Sequence, residues 1–329
     1  MSKKIILLLA SILSAGTFAA TIEIGFENEQ YDDKGTNNYN RSDVFMPYVS
    51  GSFNPLEGSK LKIDFKYMYQ DQYGKERAEG TNARFKTQRD RFEMFASGYS
   101  YKNGDFAFNP KVGFRYEQWS INDNSLSNQT KRNLSLRFFP DMNYKITNTT
   151  NLYLSGFTGP LFTETKQESR KDSSYKKGDL DTNYYYGDWY QEVQLIGIRQ
   201  TLPNKDSIWA SLYNEYKYLE HSSEYIRWQL RGGYNWGITD KLAINPFIRY
   251  DLHYEEKGKE SSSLSGSNNG KTRDKDETRI GTTFSYKFDP TLTLIGEVYW
   301  QSAKNISYDG KKSDDKDRMF YKLGLRKAF

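Results

Sequence analysis

The stretch Leu61–Gln70 reads LKIDFKYMYQ. Leu61, Ile63, Phe65, Tyr67 and Tyr69 fall on one side of an extended chain, and Lys62, Asp64, Lys66, Met68 and Gln70 on the other. Successive side chains of a β-strand point to opposite faces, so strict alternation means a strand with one apolar and one polar face. The same period returns along the chain. Phe106, Phe108, Pro110, Val112, Phe114 and Tyr116 alternate with Asn109, Lys111, Arg115 and Glu117. Ile226, Trp228, Leu230 and Tyr234 alternate with Arg227, Gln229, Arg231 and Asn235, and Leu242, Ile244, Pro246, Ile248, Tyr250 and Leu252 with Asn245, Arg249, Asp251 and His253. Ile280, Phe284, Tyr286 and Phe288 oppose Arg279, Thr283, Ser285 and Lys287. The last segment sets Met319, Tyr321, Leu323, Leu325 and Phe329 against Arg318, Lys322 and Arg326.

The connections carry a second signal. Short ones rich in Asn, Asp, Gly and Pro, the residues that turns need, lie at Asn54–Ser59, Lys102–Asp105, Thr147–Thr150, Pro203–Asp206, Gly237–Lys241 and Asp289-Pro290. Between them lie longer polar stretches, Asp32–Arg41, Asp71–Thr87, Ser120–Lys131, Thr163–Thr182, Glu255–Lys275 and Ser302–Lys316, with a shorter one at Leu219–Glu224. An antiparallel meander alternates in this way when its two ends face different environments, as in transmembrane barrels with short periplasmic turns and long extracellular loops. The strands predicted are 21–31, 43–53, 60–70, 88–101, 106–119, 132–143, 151–162, 184–202, 207–218, 225–236, 241–254, 277–288, 291–301 and 317–329. The fold class expected is therefore all-β, a transmembrane antiparallel up-and-down barrel of about 14 strands; merging or losing a hairpin changes the count to about 12 or 16.

Composition narrows the alternatives. The 329 residues contain 27 Tyr, 20 Phe and six Trp, yet 27% are charged, and the mean hydropathy is −0.87. No run beyond residue 20 reaches the roughly 20 apolar residues of a spanning helix. Disordered chains are poor in aromatics. Without Cys there is neither a disulfide framework nor a thiolate zinc site. A formal charge of +5 is too small for a concentrated nucleic-acid-binding face. Residues 1–20, MSKKIILLLASILSAGTFAA, join two lysines, an apolar core and a small-x-small site. They read as a secretory signal peptide over 1–19, leaving 20–329 as the barrel. The exported remainder is then either a soluble β-sandwich or a spanning β-barrel, the non-helical way to satisfy every backbone group in lipid; the continuous charged face and the one-sided long loops favour the barrel. The localisation expected is the cell outer membrane.

The outward face is Leu, Ile, Val and Phe. Trp236, Tyr234, Trp300, Tyr250 and Trp119 near segment ends are expected to form girdles at the lipid interfaces. The inward face carries Lys62, Lys66, Lys111, Arg115, Arg137, Arg227, Arg231, Arg249, Arg279 and Arg326 against Asp64, Glu117 and Asp251. A charged interior suits water, and a barrel this wide has room for a lumen. These residues are therefore expected to line a water-filled pore for ions and small hydrophilic solutes such as sugars, with a mild preference for anions. Two further functions stay open: a porin specific for acidic oligosaccharides, or a non-conducting barrel whose loops act as adhesin or receptor. No enzyme is expected. Asp251 and His253 share a face in the alternation, but no nucleophile is placed beside them by spacing. Asp32-Asp33 and Asp314-Asp315 lack the Gly and terminal Glu of a calcium loop, so neither metal nor cofactor is expected.

The ending DPTLTLIGEVYWQ (Asp289–Gln301) with DRMFYKLGLRKAF (Asp317–Phe329), preceded by KLAINPFIRY (Lys241–Tyr250), resembles the last strands of OmpG-like outer-membrane porins. That resemblance implies a monomeric barrel of about 14 strands passing ions and mono- or oligosaccharides. Phe329 matches the C-terminal aromatic that the barrel-assembly machinery recognises in this class. The histidine gate of that family is not implied, because Glu255–Lys275 has no His. The Lys/Tyr/Asn-rich style is similar to fusobacterial porins, some of which are trimers; a monomer is favoured. Related oligogalacturonate porins have an Arg-lined lumen. The partners implied are outer-membrane lipid, the assembly machinery and small solutes, with no nucleic acid.

Overall fold

The computed structural model describes residues 18–32, 43–75, 84–123, 127–169, 180–220, 222–259, 269–308, 310–313 and 317–329. Residues 1–17 of the expected signal peptide lie outside them. The strands are β1 (Phe18–Asp32), β2 (Asp43–Asn54), β3 (Lys62–Lys75), β4 (Arg84–Ser97), β5 (Tyr101–Asn103), β6 (Phe106–Phe108), β7 (Lys111–Asp123), β8 (Ser127–Phe139), β9 (Met142–Lys145), β10 (Thr150–Ser169), β11 (Leu180–Thr201), β12 (Ser207–Tyr218), β13 (Ser223–Gly237), β14 (Leu242–Gly258), β15 (Thr272–Lys287), β16 (Leu292–Ile306), β17 (Lys312–Ser313) and β18 (Asp317–Ala328). Fourteen of them form the wall of a closed antiparallel barrel. β5, β6, β9 and β17 are short additions to its hairpins. β1 and β18 close the ring, in register from Thr21↔Ala328 to Asp32↔Asp317.

Each wall strand coincides with one expected from the alternation. The difference lies in their length. β10 and β11 run 20 and 22 residues, and their pairing continues to Glu168↔Leu180, well inside the polar stretch expected to be a loop. The alternation of apolar and polar residues ends before the ladder does. A backbone ladder carries on into water, because its hydrogen bonds do not depend on an apolar face.

Register and exposure separate the two faces. Ile24, Leu134, Leu136, Phe138, Leu230, Ile248, Ile280, Leu323 and Leu325 are exposed on the outside. Trp236, Tyr250 and Trp300 join them on that surface, where girdle aromatics were expected. Trp119 does not. It lies on the inner face beneath the Arg89 guanidinium, 4.1 Å from the ring centre. Trp119 shares the parity of Arg115 and Glu117, so the alternation itself places it inside, and its nearness to a strand end does not turn it toward lipid.

Bulges correct a second expectation. Trp228 pairs with His253 while Gln229 pairs with Asp251, leaving Leu252 as an extra residue on β14. A bulge of this kind shifts the side chains beyond it by one face. Asp251 is buried inside, whereas Leu252 and His253 are both exposed outside. The two residues that share a face in the alternation are therefore split. Beyond the bulge the β14–β15 ladder is interrupted between Tyr250↔Thr278 and Glu256↔Arg273. Asp251 Oδ2 accepts the Glu277 backbone N–H at 2.9 Å and so satisfies a donor that the interruption frees.

The prolines fit local breaks. Pro110 and Pro140 stand just outside β7 and β8, where the Asn109 N–H bonds to the Asp141 carbonyl instead. Pro160 falls in the gap of the β8–β10 ladder between Thr158↔Phe138 and Leu161↔Ser135. In the short turns, side chains satisfy the backbone. Asp206 accepts the Tyr234 hydroxyl at 2.6 Å, the Gly237 N–H at 2.9 Å and the Asn204 amide at 2.6 Å, tying two neighbouring turns together.

Candidate functional site

Every inward residue named from the sequence lies on the inner face of the wall, but most do not present a free charge. Lys62 pairs with Asp64, Lys66 with Glu27, Lys111 with Asp141, Arg115 with Glu93, and Arg326 with Glu23. Glu117 takes Arg89 and Arg91 together, each at 2.5 Å. Arg227 sits among three carboxylates, Glu215 at 3.3 Å, Asp251 at 3.5 Å and Glu277 at 3.4 Å. Glu277 also receives Arg279 at 3.1 Å. Cross-strand pairing produces this arrangement: in an antiparallel sheet residues directly opposite share a face, and here Glu93↔Arg115, Arg91↔Glu117 and Glu215↔Arg227 are such pairs.

Three of the named cations have no carboxylate partner among the described residues. Each lies on an aromatic ring instead. The Arg137 guanidinium is 3.7 Å from the centre of Phe157, that of Arg231 3.2 Å from Tyr213 and that of Arg249 5.1 Å from Phe247, all within the reach of cation–π attraction. The inner face is thus an ion-paired wall interspersed with stacked rings. Phe329, by contrast, points outward and is 67% exposed, with its backbone N–H bonded to the Ala20 carbonyl at 2.9 Å.

Toward the short-turn end the inner face opens into a recess of about 470 Å³. Asn109, Asp141, Asn143, Tyr153, Gln194, Arg199 and Trp209 contribute its chemistry. Its two rings are held flat by missing side chains. A Cβ on Gly197 would lie 2.2 Å from the Tyr153 ring, and one on Gly233 2.8 Å from the Trp209 ring, so glycine lets each aromatic lie across the neighbouring strand. The Arg199 guanidinium stands over Tyr153, 5.5 Å from its centre. Tyr153, Arg199 and Trp209 were not singled out from the sequence. They fall on the polar parity of β10, β11 and β12, yet two of them are aromatic, and β11 carries a further bulge between Gln194 and Ile196. Only the cross-strand register, Tyr153↔Gly197 and Arg199↔Trp209, brings them together.

No family model matches the chain, and no curated protein matches it. Solved structures do. The CymD monoaromatic hydrocarbon channel superposes with a TM-score of 0.55 at 9% identity, covering 100% of this chain and 93% of that one. The P. putida toluene transporter TodX gives 0.51 at 8% identity, covering 96% and 92%. A TodX deltaS2S3 mutant gives 0.54 at 8%, covering 96% and 91%. At these identities the likeness is one of fold. The chain is an outer-membrane β-barrel. The expectation of a general pore for ions and sugars is corrected here. Barrels of this course include proteins described as hydrocarbon channels and a toluene transporter, and the inner charges that suggested an anion-preferring aqueous pore are mostly neutralised by one another.

Proposed function

We propose that the barrel is an outer-membrane channel for small molecules that carry an aromatic ring. The observation that carries this reading is the recess of about 470 Å³ with Tyr153 and Trp209 laid flat in its wall. Ligand sites typically measure about 300–1,000 Å³, with aromatic walls and a few polar groups that fix orientation. Rings held face-on offer offset stacking to a planar guest. The descriptions of CymD and TodX, a monoaromatic hydrocarbon channel and a toluene transporter, agree with such a guest.

The test is uptake of labelled toluene by cells deleted for their own hydrocarbon channels, with and without this chain in the outer membrane. Expression is expected to speed uptake several-fold, and Trp209→Ala to remove most of the gain at equal protein level. Uptake no faster than in the empty-vector cells would refute the proposal.

A further inference from the structure

Resting on that reading, we infer that the recess selects aromatic molecules that bear a carboxylate, and that Arg199 is the group that holds it. Arg199 lines the recess and makes neither an ion pair nor a hydrogen bond with any described residue; its contact is the Tyr153 ring. This sets it apart from Arg227, which has three carboxylates, and from Arg115 and Arg326, which have one each. The acid in the recess wall does not cancel it. Asp141 is paired with Lys111 at 3.3 Å, so the net charge of the site is that of Arg199.

A second donor faces the same space. The Gln194 side-chain oxygen accepts the Ser211 hydroxyl at 2.9 Å and the Tyr153 hydroxyl at 3.3 Å. With its carbonyl end occupied, the Gln194 amide N–H₂ is left to donate. An arginine fork in a recess that also holds an amide donor suits a planar anion with two oxygens, because guanidinium and carboxylate match in bidentate geometry. The rings of Tyr153 and Trp209 then flank the apolar part of the same molecule. The combination is specific in its chemistry: one cation, one amide donor and two rings describe a small aromatic acid better than they describe a neutral hydrocarbon.

Equilibrium dialysis of the purified full chain in non-ionic detergent tests this, using labelled 4-methylbenzoate, its neutral isostere 4-methylbenzamide, and inorganic sulfate. The acid is expected to bind about tenfold or more tightly than the amide, the size of one charge-assisted hydrogen-bond pair. Arg199→Gln should bring the two aromatic ligands level. Amide binding retained by that variant shows that the recess is intact. Arg199→Lys, which keeps the cation without the fork, should retain part of the preference. Equal binding of acid and amide to the wild type overturns the inference and leaves the aromatic-channel reading standing. A preference unchanged in Arg199→Gln overturns the role of Arg199. Sulfate binding as tightly as 4-methylbenzoate overturns the aromatic-acid class. Binding of neither aromatic ligand removes the channel reading along with it.

Discussion

Arg231 on β13 and Arg249 on β14 face each other directly across the inner face of the sheet, and Arg249 in turn faces Arg279 on β15. Three guanidinium groups in one row repel, since like charges directly opposite one another destabilise a sheet. Different neighbours offset this at each position. Arg231 donates twice to the Gln229 side-chain oxygen, at 2.9 and 2.7 Å. Arg279 reaches Glu277 and Gln301, at 3.1 and 2.7 Å. Arg249 makes no ion pair or hydrogen bond among the described residues and lies against the Phe247 ring.

Arg249→Gln is therefore expected to stabilise the barrel, by about 0.2–1 kcal/mol for the relief of like-charge cross-strand pairs. The midpoint of reversible urea unfolding in lipid or detergent reads this. A fall in stability of more than about 1 kcal/mol would mean that the arginine has an attractive partner the row does not reveal.

Arg227→Met is expected to do the reverse. It leaves Glu215, Asp251 and Glu277 facing one another without their shared cation. Removing one member of a buried ion pair costs about 3–5 kcal/mol. A double variant, Arg227→Met with Glu277→Gln, should recover part of the loss. An unaltered unfolding midpoint in the single variant would show that the three acids do not depend on Arg227.

Steric contrast gives a third expectation. A Cβ on Gly281 would meet Tyr299 Cβ and the Val298 carbonyl oxygen, both at 2.4 Å, whereas one on Gly232 meets nothing nearer than the Trp209 carbonyl oxygen at 3.4 Å. Gly281→Ala should cost about 1–3 kcal/mol through overpacking, and Gly232→Ala much less. Thermal unfolding of the two variants, followed by heat-dependent gel mobility, distinguishes them; equal midpoints would count against the steric account.

The pH dependence should come partly from the short turns. Asp206 is held below the usual carboxylate range by the Tyr234 hydroxyl, the Gly237 N–H and the Asn204 amide. Asp289 is held low by the Thr291 hydroxyl and by the N–H groups of Thr291 and Leu292. A carboxyl whose folded pKa is depressed stabilises above its unfolded value, near pH 4, and loses that contribution as the pH falls through the folded value. Asp206→Asn should therefore unfold more easily than wild type at pH 7, with the gap closing below about pH 4. A gap of the same size at pH 7 and pH 3 would remove Asp206 from the acid response.

The barrel was legible in the sequence because period two acts on every strand. Lys62 to Gln70, Ile226 to Trp236 and Met319 to Phe329 each state which side meets lipid. The recess was not legible, because its parts lie on three strands and meet only through register. Nothing near Arg199 in the chain marks it as different from Arg227, although among the described residues one has no carboxylate partner and the other has three. His253 shows the same limit at a single residue. One extra position at Leu252 turns it from the inner to the outer surface, and a bulge of one residue leaves no mark in a pattern of alternating side chains. The ion pairs escaped for a related reason. Alternation assigns a charge to a face without saying which opposite charge stands across from it.

The pairing of β1 with β18 has a consequence for how the molecule comes into being. Glu23 and Arg326, in contact across that seam, are 303 residues apart. Closing so distant a pair is slow, and until it closes β1 and β18 each offer an unpaired edge open to adhesion by other chains. The seam is thus the one wall pairing that joins the two ends of the barrel-forming chain. A chain cut short before β18 keeps β2 beside β1 but leaves the other edge of β1 uncovered. Every other wall pairing joins strands that are close in the chain, so the long-range closure falls on a single line down the wall.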